Sequence, residues 1–304
     1  MKKQLLPLAL IMILGTSFQS VFAQSWTRES SLEFGLQVGG SNYNGELVNS
    51  FFETQGTHLN IGIFTRYNPV QRFTFKLSAN YGNISGDDRW YGDDEQRSFR
   101  NLHFRSALWD FSAGMDINLN TLHFKQDRGT IPYLTFGVSV FKFNPQAQFI
   151  YDPNSWQASG PDALQNYANL ASRDGDWIEL QPIGTEGQET TEYNEKRRYA
   201  LTQVSIPLGA GVKFKLSKQW TFGMEYRMNF TFTDYLDDVG GVYVEPVYLE
   251  AQYGAISPSM SDRSPSRNLA NLSRGDSGNK DTYSIFGVNL SYRLITGKVK
   301  CFSF

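Results

Sequence analysis

The sequence is poor in the residues that build most sites. It has one cysteine, Cys301, and three histidines among 304 residues, and only 19% of its residues are charged. An average soluble chain carries about a quarter charged residues. One cysteine excludes an internal disulfide framework and a cysteine-cluster metal centre. Three dispersed histidines exclude a zinc site of the H-E-x-x-H kind. A net charge of -2 with no basic run argues against a nucleic-acid partner, which needs a cationic footprint. A mean hydropathy of -0.40 excludes a bundle of membrane helices. It leaves a membrane barrel open, because barrel strands are only half apolar.

What is present begins with an export signal. Lys2 and Lys3 precede the apolar run Leu5 to Leu14, and Val21-Phe22-Ala23 offers a cleavage site. This pattern reads residues 1–23 as a signal peptide and Gln24 as the first residue after cleavage. The run is short for an uncleaved anchor. No cysteine closely follows it, so no lipoprotein is expected.

Beyond it the dominant signal has period two. Trp220, Phe222, Met224, Tyr226, Met228, Phe230 and Phe232 alternate with Thr221, Gly223, Glu225, Arg227, Asn229 and Thr231. A strand divided in this way lies between an apolar and an aqueous phase. The same division predicts strands near 31–39, 58–67, 73–82, 102–119, 132–143, 199–216, 220–234 and 282–294, with a tail over 295–304. Connections after the even strands are short or moderate. Those after the odd strands are longer, above all 144–198 and 237–281. Export, an even strand count and this loop asymmetry predict an all-β chain over 24–304. Its expected form is a single eight-stranded antiparallel up-and-down barrel in the outer membrane of a Gram-negative bacterium, with lipid around it and long loops outside.

Charges at mid-strand cannot face lipid without a cost of about 2–4 kcal/mol each. Glu33, Lys76, Asp110, Asp116, Lys213, Glu225, Arg227 and Arg293 are therefore expected to point inward and pair. If the Ser217 turn sets the hairpin register, Lys213 and Glu225 lie diagonally on one inner face, within ion-pair reach. An eight-stranded barrel is just wide enough to be filled by side chains, so no open pore is expected. The excess of aromatics, 15% of residues, is assigned largely to the lipid face.

Other groupings weigh less. Asp87, Asp88, Asp93, Asp94 and Glu95 crowd one external loop. They read as a cation site or as a solvated loop with ion pairs to Arg89, Arg97 and Arg100, and the ion pairs are favoured. His58 and His103 fall near the external mouth. His103 and Ser106 stand on opposite faces of one strand, which separates nucleophile from base and argues against a barrel-mouth hydrolase. A short helix is expected around Asn166 to Leu170. Trp156 and Trp177 read as anchors of the same loop. No catalytic residue, metal, cofactor or small-molecule substrate is expected.

Several strings resemble one family. Ser41-Asn42-Tyr43-Asn44-Gly45-Glu46-Leu47, Arg66-Tyr67-Asn68-Pro69, Asn80-Tyr81-Gly82-Asn83-Ile84-Ser85-Gly86-Asp87-Asp88 and Arg100-Asn101-Leu102-His103-Phe104-Arg105-Ser106 are together similar to the PorG-like outer-membrane barrels of Bacteroidota. The run Gly287 to Tyr292 partly resembles the signal read by barrel-assembly machinery. The family resemblance implies a structural component of a type IX secretion system. Its partners would be a periplasmic ring lipoprotein and that lipoprotein's companion protein. It implies contact through the short-turn face and the tail. A lone cysteine in an exported chain reads as an intermolecular disulfide or as an unpaired thiol. With the resemblance, Cys301 becomes a candidate for a disulfide to the ring lipoprotein. The remaining alternatives are an adhesion barrel whose long loops bind an external ligand, and a hydrolase.

Overall fold

The computed structural model describes residues 29–48, 50, 52–120, 128–158, 166–268 and 270–298. The signal segment 1–23 and Cys301 lie outside the described residues.

The strands are β1 (Glu29–Asn44), β2 (His58–Asn68), β3 (Phe73–Asp87), β4 (His103–Asn118), β5 (Gly129–Gln148), β6 (Trp177–Glu179), β7 (Thr202–Lys215), β8 (Trp220–Thr231) and β9 (Thr282–Lys298). Each of the eight long strands pairs antiparallel with its neighbours, and β4 also pairs with β5. The first strand pairs with the last, from Glu29 opposite Lys298 to Asn44 opposite Thr282. The sheet therefore closes into an eight-stranded barrel. The three-residue β6 adds to the upper end of β5 outside the ring. The last strand runs four residues beyond Leu294, into the segment assigned to the tail.

Period two sets the two faces. Phe34, Leu36 and Val38 on β1 point out, and Leu36 is 65% exposed. Ile61, Leu77, Phe111, Val138, Leu208, Met224 and Val288 continue this exposed ring around the wall. A wall of exposed aliphatic and aromatic groups is stable only where lipid replaces water. Aromatic pairs mark both rims of the belt. Trp220 meets Tyr292 edge-on at 5.1 Å near the short turns, and Tyr81 meets Trp109 at 4.5 Å toward the long loops. Such girdles sit at bilayer interfaces, where an amphipathic ring has both phases within reach.

Above that belt the strands continue, and their inner faces turn apolar. Tyr43, Ile84, Phe104, Leu108, Phe141, Phe143, Tyr283 and Ile285 are buried in the upper lumen. Leu47, Val48, Leu102, Leu236 and Val239 descend from the loops to complete this plug. Part of the aromatic excess, assigned largely to the lipid face, thus lies in the plug. Inward-facing rings were counted with outward ones because composition carries no direction.

The two longest connections fold over the mouth as a cap. Helices α2 (Pro246–Tyr253) and α3 (Ile256–Ser261) come from the connection before β9. They meet the connection after β5, where Phe149, Tyr167, Ile178 and Leu180 pack with Ile256 and Met260. Helical turns occupy 166–173, and Trp156 donates its ring N–H to the Ser264 carbonyl at 3.1 Å. Arg274, 2% exposed, ties the cap together through Glu186 Oε1 at 3.0 Å and the Ser261 carbonyl at 3.0 Å.

Candidate functional site

The lumen holds a stack of ion pairs, built because every second residue of each strand points inward. Lowest is Arg293, which reaches Glu33 Oε1 at 2.7 Å. Next, Lys213 Nζ lies 2.8 Å from Asp116 Oδ2. Lys76 Nζ follows, donating to both oxygens of Glu225 at 2.6 and 2.7 Å. Highest, Arg227 Nη2 donates to Asp110 Oδ1 at 2.5 Å. Tyr133 donates its hydroxyl to Glu225 at 2.6 Å, and Tyr283 donates to Asp110 at 2.8 Å.

The Lys213–Glu225 pair expected from the hairpin register does not form. Lys213 stands opposite Gly223 and Glu225 opposite Gly211, so the two are diagonal neighbours on adjacent strands. Lys213 instead reaches past β5 to Asp116 on β4, and Glu225 takes Lys76 from the opposite wall. In a narrow barrel the facing wall is as near as the next strand. Arg66, absent from the expected set, sits at the centre and is fully buried. Its guanidinium lies 3.5 Å from Asp116 and 3.7 Å from Glu225, stacked 4.3 Å from the Phe64 ring. Its parity with Asn60 and Gly62 on β2 was the available signal.

Among the described residues these contacts fill the lumen. A void lined by Lys76, Ser112, Thr135 and Arg227 measures about 10 Å³, at the lower limit for one water. A groove of about 740 Å³ lies instead on the outer wall, lined by Phe34, Leu36, Ile63, Leu77 and Tyr292, and so faces lipid. The lumen is closed twice, by charge below and by the apolar plug above.

No complete nucleophile–base–orienter set assembles among the described residues. Ser106 Oγ accepts from Asn144 N at 2.8 Å. His103 Nε2 accepts from Gln148 N at 2.9 Å, and its ring stands edge-on to Trp177 at 6.0 Å. His58 Nε2 is 2.7 Å from Ser85 Oγ. In the acidic loop, Asp88 is fully buried and receives Arg100 at 2.7 and 2.8 Å. Asp87 holds Arg89, and Asp94 caps α1 (Glu95–Arg100) by accepting from the Gln96 and Arg97 amides. Arginines and amides thus occupy Asp87, Asp88 and Asp94.

His103 makes a measurable pH device. Burial, and secondarily the Arg263 charge, push its pKa from 6.5 down to about 3. Below pH 6.5 the unfolded chain takes up a proton that the folded chain refuses, so stability falls with pH in the window between those values. At pH 5 the loss is expected to be roughly 2 kcal/mol. Urea midpoints at pH 7.5 and pH 5 measure it. His103→Gln keeps an acceptor for Gln148 and should flatten the difference. An unchanged pH slope in that variant would remove His103 as the cause.

No curated protein matches the sequence. Among solved structures the chain is similar to Ail, the attachment invasion locus protein of Yersinia pestis, at 8% identity over 88% of this chain and 99% of that chain, with a TM-score of 0.38. It is similar to Neisserial surface protein A at 9% identity over 88% of this chain and 96% of that one, TM-score 0.34. It is also similar to the outer membrane protein OprG from Pseudomonas aeruginosa at 8% identity over 89% and 98%, TM-score 0.35. A family model described as Domain of unknown function (DUF6089) matches residues 9–163. That match takes in about half of the sequence, including all of β1 to β5, and the chain belongs to the DUF6089 family.

Proposed function

We propose that this chain is a non-enzymatic barrel of the Gram-negative outer membrane that serves as an envelope anchor. Its partners would be a periplasmic ring lipoprotein and the companion of that lipoprotein, in a type IX protein secretion system. The doubly closed lumen carries the reading. A barrel with no passage and no complete nucleophile–base–orienter set among its described residues has only its surfaces left to work with. The belt engages lipid, and the short-turn end, where 69–72 and 216–219 join strands, is available to a periplasmic partner. The sequence strings similar to PorG-like barrels supply the identity of that partner.

A second reading rests on the folded cap. Long connections with their own apolar core suit an adhesion barrel that binds an external ligand. Two measurements separate these readings and test the closure. The purified protein in planar bilayers should show no conductance above leak, and stepwise channels would sink the closed-barrel reading. Affinity capture of the tagged full chain from native membranes should bring down a lipoprotein complex. Capture of the barrel alone, with secretion intact in a deletion strain, would reject the anchor and leave the adhesin.

A further inference from the structure

Three loop carboxylates converge at the external mouth. Glu46 follows β1, Asp234 follows β8, and Asp281 immediately precedes β9. One oxygen from each lies within 4.8 Å of the others. Asp234 is 3% exposed, yet neither of its carboxylate oxygens has a hydrogen-bond partner, and Glu46 Oε2 is likewise buried and unpartnered. Asp237, 1% exposed, lies behind them. Tyr43 joins the group, its hydroxyl lying 2.6 Å from Asp237 Oδ2 and 3.0 Å from Asp281 Oδ1.

The surrounding groups do not neutralise this charge. The Leu236 amide donates to Asp281 at 2.9 Å and the Val239 amide to Asp237 at 2.9 Å. Arg100 meets this group only at the Glu46 carbonyl, 3.2 Å away, and its guanidinium otherwise bonds Asp88 and the Arg274 carbonyl. Lys280 donates to the Ser277 carbonyl. Among the described residues, none of the four carboxylates forms an ion pair. Buried charges are ordinarily paired, ligated or neutralised by protons. Three carboxylates whose oxygens lie within 4.8 Å of one another repel when all are ionised. The cluster thus resists its own charge, while the bare oxygens of Asp234 point at a missing positive partner. Chain geometry also favours the approach, since a side chain at position 45 would place its Cβ 2.0 Å from Asp281 Oδ1, and the residue there is glycine.

We propose that Glu46, Asp234 and Asp281 bind a hard divalent cation of the calcium class, stapling the loop after β1 to the loop between β8 and β9. All-oxygen donors select calcium over zinc or copper, which favour nitrogen and sulfur. The ligands come from three separate segments, so no spacing motif announces the site in the sequence.

The test uses the purified full chain folded in detergent at pH 7.5. Terbium is the probe, its luminescence excited through Tyr43. A saturable terbium signal is expected, displaced by calcium at or below about 1 mM, the range of extracellular calcium modules. Asp234→Asn should weaken calcium at least tenfold, whereas Asp94→Asn, in the exposed acidic loop, should bind as the parent does. If Asp234→Asn does not fold, Glu46→Gln, at a partly exposed position, reads the same loss. Absence of a saturable site in the folded parent overturns the proposal, and shows the cluster held neutral by protons. Equal binding by the parent and the site variants overturns it too.

Discussion

A chain carrying Gly39→Val should fail to close its barrel. Gly39 faces Gly287 across the seam where β1 meets β9. A Cβ on Gly39 would lie 1.9 Å from the Phe286 carbonyl oxygen and 2.4 Å from the Gly287 Cα. One on Gly287 would lie 2.4 Å from the Val38 carbonyl oxygen. These obstacles are backbone, which cannot swing aside as a side chain does. Overpacking in a core costs about 1–3 kcal/mol where side chains can shift, and more where they cannot. Here it also forces apart the one pairing that converts an open sheet into a barrel. In bilayer an open edge exposes N–H and C=O groups to hydrocarbon, so closure is all or none. Unheated samples on denaturing gels give the readout. The parent should run as a compact band that shifts on boiling, and Gly39→Val should show only the boiled position. Gly92→Ala is the control, because a Cβ there meets nothing within 4 Å. A compact Gly39→Val band with the parent's urea midpoint would refute the account of the seam.

The second large effect belongs to Glu225. Its carboxylate accepts two bonds from Lys76 and one from Tyr133, with Arg66 3.7 Å away. Lys76 is 4% exposed and Arg66 is fully buried. Glu225→Ala removes the shared anion and leaves both cations buried without it. Breaking a buried pair from one side costs about 3–5 kcal/mol, mostly the penalty of the abandoned charge. Equilibrium urea unfolding in lipid vesicles, followed by tryptophan fluorescence, should show that loss. The double variant Glu225→Leu with Lys76→Met should recover much of it, because isosteric apolar replacement of a buried pair is often neutral. A single variant within about 1 kcal/mol of the parent would mean that water reaches the lumen and screens the charges.

The barrel was legible because lipid and lumen impose opposite chemistry on adjacent residues. Leu36 and Gln37 differ in sequence as they differ in surroundings, and that contrast repeats on all eight barrel strands. The inward set of charges follows from the same parity. Partner choice does not. It depends on the stagger of strands around a closed ring, and so Lys213 went to Asp116 rather than to the diagonal Glu225. Arg66 escaped notice because alternation on β2 breaks at Phe64, an apolar residue that is 5% exposed and not part of the belt. The plug was hidden for a related reason. Phe141 and Phe143 obey the period but invert its meaning, because above the membrane the inside of the barrel is the apolar side. The carboxylates of the mouth lie far apart along the chain, and only the closed fold brings them together.

The plug also has a consequence for rates. It takes Tyr43, Leu47 and Val48 from one side of the seam and Leu236, Val239, Tyr283 and Ile285 from the other. These partners are separated by most of the chain, and they meet only after β1 has found β9. Contacts made that late contribute little to the speed of folding and act chiefly on the reverse step. The apolar mouth thus behaves as a latch: indifferent to how quickly the sheet assembles, it lengthens the lifetime of the barrel once closed.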